Sequence, residues 1–213
     1  YWYIASLWGN AIIYTRTSDL VNNYVVPANP RADVMEFAIR DLEYAAAYLP
    51  ATSPESGRIN KYSAYGMLSR VYLSMAGLTT EGQYDGNNVA TDFNRGTRNT
   101  YYLELARKAA MKVINESDFK LMTNYGDLFK IENNNCQEDM FQLQWNQGST
   151  DAIGWGCNQT ITAYFGWSTM VTDGTNWGGA TYASYDLFTE YENNDLRKHE
   201  SVAWYGEYYP DMY

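Results

Sequence analysis

The sequence predicts a mostly α-helical fold, built from helical hairpins of tetratricopeptide-like length beside an irregular aromatic- and glycine-rich region, with little β structure. Three observations predict it. Apolar residues recur at 3,4 spacing in three long windows between residues 31 and 115. From Asn146 to Ala183 neither a 3.6 nor a 2.0 period holds, over about 38 residues. Hydrophobic residues make up 46% and charged residues 19% of 213, enough for a core that buries roughly 70% of the unfolded surface without a disulfide or metal staple.

Tyr1 to Trp8 forms an aromatic helix-like segment that Gly9 breaks, and an irregular stretch then runs to Pro30. Asp33 and Glu36 have capping-box spacing at the start of the strongest helical signal. Val34, Phe37, Ala38, Leu42, Ala45, Ala46 and Leu49 line its apolar face, and Pro50 closes it. After a polar turn, a second helix runs from about Lys61 to Ala76. Ala64, Met67, Leu68, Val71, Tyr72 and Met75 form its apolar face, and Gly77 reads as a left-handed stop. Two such helices joined by about ten residues pack antiparallel as a hairpin. Residues 78–98 read as a polar surface loop. A third helix, about Tyr101 to Asn115, carries Leu105, Ala106, Ala109, Val113 and Ile114 inward. Phe119 to Leu121 and Tyr125 to Phe129 read as short packed pieces, and the alternation in Met140 to Trp145 predicts a strand. Helix returns near Tyr185 to Tyr191. No 34-residue repeat with a tetratricopeptide consensus is present.

Composition narrows function. The net charge is −10, with no Lys/Arg-rich run, which disfavours nucleic acid as a partner. No apolar run approaches the 18 residues that a membrane span needs. Cys136 and Cys157 make neither a disulfide framework nor a zinc site, and are read as separate thiols or, in an oxidising compartment, a single bridge. His199, the lone histidine, sits in a charged stretch that reads as solvated surface. Asp85-Gly-Asn-Asn offers oxygen ligands but no Glu twelve positions along, so it is no EF-hand, and neither metal nor cofactor is expected. The surplus is aromatic: 7 Trp and 21 Tyr exceed what one core needs, and these residues favour half-wet positions.

Five pieces in order resemble the SusD/RagB family. They are Asp41-Leu42 with Ala45 and Leu49-Pro50; Gly57-Arg58 with Lys61, Ala64, Leu68 and Arg70-Val71-Tyr72-Leu73; Tyr101 to Asn115 with Phe119, Leu121, Tyr125 and Leu128-Phe129; Glu138 with Phe141; and Leu187 with Asp195 and Arg197. The resemblance implies a cell-surface, lipid-anchored glycan-binding protein of the Bacteroidota outer membrane, involved in nutrient uptake. Such a protein binds oligosaccharide and hands it to a SusC-like TonB-dependent transporter, with no chemistry of its own. Family members are usually more than twice this length. The chain is therefore expected to be an internal segment, with a helical hairpin core at 31–130, an aromatic-rich loop region at 140–185, and the start of a further helical part at 186–213. The amino- and carboxy-terminal parts of the family, including the lipidated Cys, are expected to lie outside it.

The residues themselves suggest where a sugar would bind. Trp155, Trp167 and Trp177 are candidate platforms for a pyranose face, with Tyr164 behind them; Asn158, Asp173 and Asn176 are candidate partners for its hydroxyls. The same rings could instead pack the loop against the helices. Arg58 and Arg70 read as ties between loops and caps. Two rival functions stand beside glycan binding. One is a protein-interaction scaffold that docks on the transporter without glycan affinity. The other, more remote, is a glycoside hydrolase, for which the aromatic loop offers only Asp151 and Asp173 as a carboxylate pair.

Overall fold

The computed structural model describes residues 1–21, 25–91, 96–144 and 182–209. Its fold is mostly α-helical, and no strand occurs among the described residues. Helix α1 spans Trp2–Trp8, α2 Arg31–Tyr48, α3 Lys61–Leu78 and α4 Thr100–Glu116; the short α5 (Tyr185–Glu190) and α6 (Arg197–Ser201) follow. The chain divides into two units, Tyr1–Leu121 with Gln137–Gln142, and Met122–Cys136 with the described residues from Leu143 onward.

In the first unit α3 lies between α2 and α4 and packs on both. Val34, Met35 and Ile39 from α2 meet Leu68, Val71 and Met75 from α3, with Tyr102, Ala106 and Ala109 of α4 completing the core. Phe37 and Leu42 are only half-buried, and Ile114 is exposed, so the inward faces of α2 and α4 differ from those read off the periodicity. Met35 and Ile39 take the place of Phe37 on α2. On α4, Tyr102 is buried one turn earlier than the apolar repeat begins.

The caps explain the boundaries. Gly9 ends α1 with φ +78°, a conformation that disfavours a side chain, and a Cβ there would lie 3.0 Å from the Arg31 guanidinium. Asp33 does not cap α2. Pro30 occupies the N-cap, and the Asn10 side chain accepts the Arg31 N–H at 3.0 Å from across the bridge that pairs Ala11 with Asn29. Asn60 caps α3 in a full capping box, accepting from Tyr62 and Ser63 while Ser63 Oγ accepts from the Asn60 N–H. Gly77 is no stop: it is buried inside α3, which ends at Leu78 with Thr79 extended and its hydroxyl donating to the Met75 carbonyl.

Asn99 then fixes the next turn of the path. Only 1% exposed, it accepts the Tyr101 N–H at 3.0 Å and donates to Thr79 Oγ1 and the Gly82 carbonyl, both at 2.8 Å. One amide therefore caps α4, holds the end of α3 and anchors the connecting loop. That loop is built rather than merely polar, with Ala90 donating to the Leu78 carbonyl and Thr80 to that of Asn88.

Met140 to Gln144 is not a strand. Met140 seats its sulfur on Gly66, where a Cβ would lie only 2.7 Å away, but Phe141 and Leu143 are exposed, so alternation here does not mark a buried face. In the second unit, 3₁₀ turns at Tyr125–Phe129 and Ile131–Asn133 precede α5 and α6, and α6 packs on the first of them. Asp195 and Arg197 form a two-pronged ion pair at the start of α6.

Tyr72 donates its hydroxyl to Glu43 on α2, and Tyr84 donates to Asp33 at 2.6 Å. Burial, then the accepting carboxylate, pushes both phenols well above the usual tyrosine range; burial pushes Tyr102 up to about 12. Each phenol stays neutral to higher pH folded than unfolded, so its stabilisation is complete below about pH 10 and is lost as pH rises beyond. Urea unfolding at pH 8, 10 and 12 should therefore show a steep loss above pH 10. Tyr72→Phe should lessen that loss by up to about 1.4 kcal/mol per pH unit. Asn99→Ala removes a cap and strands buried polar partners, and should lower unfolding free energy by about 2–3 kcal/mol in the same measurement at pH 7.

Candidate functional site

Trp155, Asn158, Tyr164, Trp167, Asp173, Asn176 and Trp177 all fall between residues 145 and 181, outside the described residues. So do Asp151 and Cys157, and with Cys157 the question of a bridge to Cys136.

The described residues on the carboxy-terminal side of that stretch form a ring cluster that the periodicity gave no reason to expect. Phe188 of α5 stacks on Trp204 with centroids 4.2 Å apart and planes at 16°, and Tyr185 lies 5.7 Å from the same indole. Lys198 places its ammonium 3.8 Å from the Phe188 ring centre on the cluster's cationic side. His199 stacks on Tyr209 at 4.5 Å, near Glu200, so the lone histidine is a surface residue held by a ring and a carboxylate. Tyr182, Tyr185, Tyr205 and Tyr208 are exposed. Part of the aromatic surplus thus stands in water, as the half-wet preference of these side chains suggests.

Two concavities mark the helical unit. A groove of about 470 Å³ runs between α2 and α4 over α3, with Ala46, Leu68 and Ala109 on its floor, and Glu43, Lys108 and Lys112 at its rim. The second, of about 440 Å³, lies between the start of α2 and the loop after α3. Phe37 and Ile13 supply its apolar side, and Asp33, Glu36, Arg40, Tyr84 and Asp85 its polar side. Glu36 is held by Arg40 at 3.3 Å with its own side chain 13% exposed. Asp85 accepts the N–H groups of Asn87 and Asn88, which hold its carboxyl below the usual range. The Asp85-Gly-Asn-Asn oxygens thus stabilise a turn, and among the described residues no cluster of His, Cys, Asp or Glu is arranged to hold a metal. No described helix is long and apolar enough to cross a membrane. Arg58 pairs with Glu55 in its own loop, and Arg70 lies 4.9 Å over the Trp2 ring, so each makes a tie within the chain.

No family profile matches the chain. Among known proteins, a SusD-like protein of Bacteroides ovatus is 37% identical over 210 residues, covering 98% of this chain and 35% of that protein. A crystal structure with xylogluco-oligosaccharide matches at TM-score 0.73 and 36% identity, over 90% of this chain and 35% of that one. A SusD superfamily protein from Bacteroides fragilis NCTC 9343 matches at TM-score 0.64 over 93% of this chain and 40% of that one; at 14% identity this is a likeness of fold alone. The chain spans about a third of the length of the relatives with which it shares more than a third of its residues. Identity at that level along nearly every residue, carried on a helical framework of the same kind, makes this chain a member of the SusD-like family.

Proposed function

We propose that the chain is part of a cell-surface, lipid-anchored protein that binds oligosaccharide and passes it to a TonB-dependent outer-membrane transporter without chemical change. The observation that carries this reading is the crystal structure holding xylogluco-oligosaccharide, with which the chain shares 36% identity over 90% of its length. The exposed rings flanking residues 145–181 support it, because a pyranose presents apolar C–H faces that flat aromatic rings cover while polar side chains bond the hydroxyl rim. In this reading 31–130 is the helical core, and Trp155, Trp167 and Trp177 in the 140–185 region are the platforms. Tyr164 stands behind them, with Asn158, Asp173 and Asn176 on the rim.

Covering about 60–80 Å² of sugar at about 25 cal/mol/Å² contributes about 1.5–2 kcal/mol per ring. Two or three rings, less the cost of association, give Kd values of about 0.1–10 mM, adequate for a protein packed densely on a surface. The scaffold reading has its own supporting feature, the apolar-floored groove over α3, which suits a protein segment better than a sugar.

Isothermal titration with a glycan panel should show at least a tenfold affinity loss in the Trp155→Ala/Trp167→Ala/Trp177→Ala variant. Unchanged affinity in a folded variant would overturn the platform assignment. Incubating the same glycans with the protein should release no reducing ends; release that grows with time would establish a hydrolase instead.

A further inference from the structure

The cavity between the start of α2 and the loop after α3 is lined by residues outside the 140–185 stretch of sequence, and several of its lining groups are held by neighbours. Phe37 presents its ring half-buried, held by the edge of Tyr1 at 4.8 Å and 77°. Tyr1 is in turn fixed by exchanging hydrogen bonds with the Tyr14 backbone. Asp33 is oriented by the Tyr84 hydroxyl through one oxygen, and Asp85 by two backbone N–H groups on Oδ1. Arg40 is anchored through Nε to Glu36, while its side chain remains 73% exposed. Gly86, at φ +93°, sits at the lip with open space where a side chain would stand.

We propose that this cavity is a second saccharide site, taking one ring of a neutral glycan; the proposal rests on the glycan-binding reading above. The chemistry selects that ligand class. Fixed carboxylates accept from sugar hydroxyls and the guanidinium donates to them, while the Phe37 ring meets a C–H face. Three carboxylates against one guanidinium repel a uronate or phosphate. A guanidinium in the lining disfavours a bare cation, and no described cluster has a metal-holding arrangement. At about 440 Å³ the space falls within the range of small-ligand pockets, about 300–1,000 Å³. Two sites on one chain would let a long glycan engage twice, raising avidity without a stronger single contact.

The test is two-dimensional NMR of the whole chain titrated with a xylogluco-oligosaccharide, mannotetraose and maltotetraose, with trigalacturonate as the charged control. Saturable shifts at the Phe37, Arg40 and Gly86 amides are expected with a neutral glycan and not with trigalacturonate. Arg40→Gln and Asp85→Asn should each weaken them at least fivefold, the Asn retaining the turn. Shifts confined to the Trp155, Trp167 and Trp177 indoles would overturn this site and leave the proposed function standing. Shifts at residues 37, 40 and 86 without any at the indoles would keep this site and overturn the Trp155, Trp167 and Trp177 platform assignment. Equal response to trigalacturonate, indifference to both substitutions, or no shift with any of the three neutral glycans would each overturn the second site.

Discussion

A phenol hydroxyl placed among apolar side chains must find an acceptor, and α2 meets that need twice, through Glu43 for Tyr72 and Asp33 for Tyr84. These two bonds tie α2 to α3 near one end and to the loop after α3 near the other. At the helix start Asn10 accepts the first N–H, and Asp33 accepts from Tyr84 rather than capping. Asp33 therefore stands at the cavity wall already oriented. Tyr84 also receives help from the core side, its backbone N–H donating to the Tyr102 hydroxyl at 3.0 Å. Core phenols and the cavity's polar wall are thus one connected network.

The abundant aromatics therefore have two uses. Tyr72 and Tyr102 fill the interior with ring centroids 6.1 Å apart and their hydroxyls hydrogen-bonded. Others stand outside, among them Tyr44 and Tyr48, one helical turn apart on α2 with centroids at 4.4 Å. The same residue type thus does structural work where a partner oxygen is within reach and remains a surface group where none is required. Composition alone registers the surplus; position decides which use a given ring has.

Legibility in the sequence followed the range of the interactions involved. Gly9, Pro50 and the helical windows read from Asp33 to Pro50, about Lys61 to Ala76 and about Tyr101 to Asn115 are local signals, and the helices fall within about two residues of them. Asp33 misleads because the competing cap comes from Asn10, 21 residues before the Arg31 N–H it accepts, and no local pattern contains that information. Gly77 resembles a terminator but serves close burial inside α3. Alternation after Met140 marks no buried strand face: Phe141 and Leu143 are exposed, and the residue that packs on Gly66 is Met140, out of phase with them. The cavity at Phe37 and Asp85 joins residues some 50 positions apart, visible only once the loop is folded. Family membership was more legible than either, because five weak patterns in the correct order constrain one another.

The contact between Gly66 and Met140 ties two distant positions into a single inheritable choice. A Cβ at 66 would lie 2.7 Å from the Met140 sulfur, so alanine there obliges the flexible thioether to turn aside. Homologous chains with a larger residue at 66 should therefore hold the side chain at 140 in another rotamer, or carry a smaller one there.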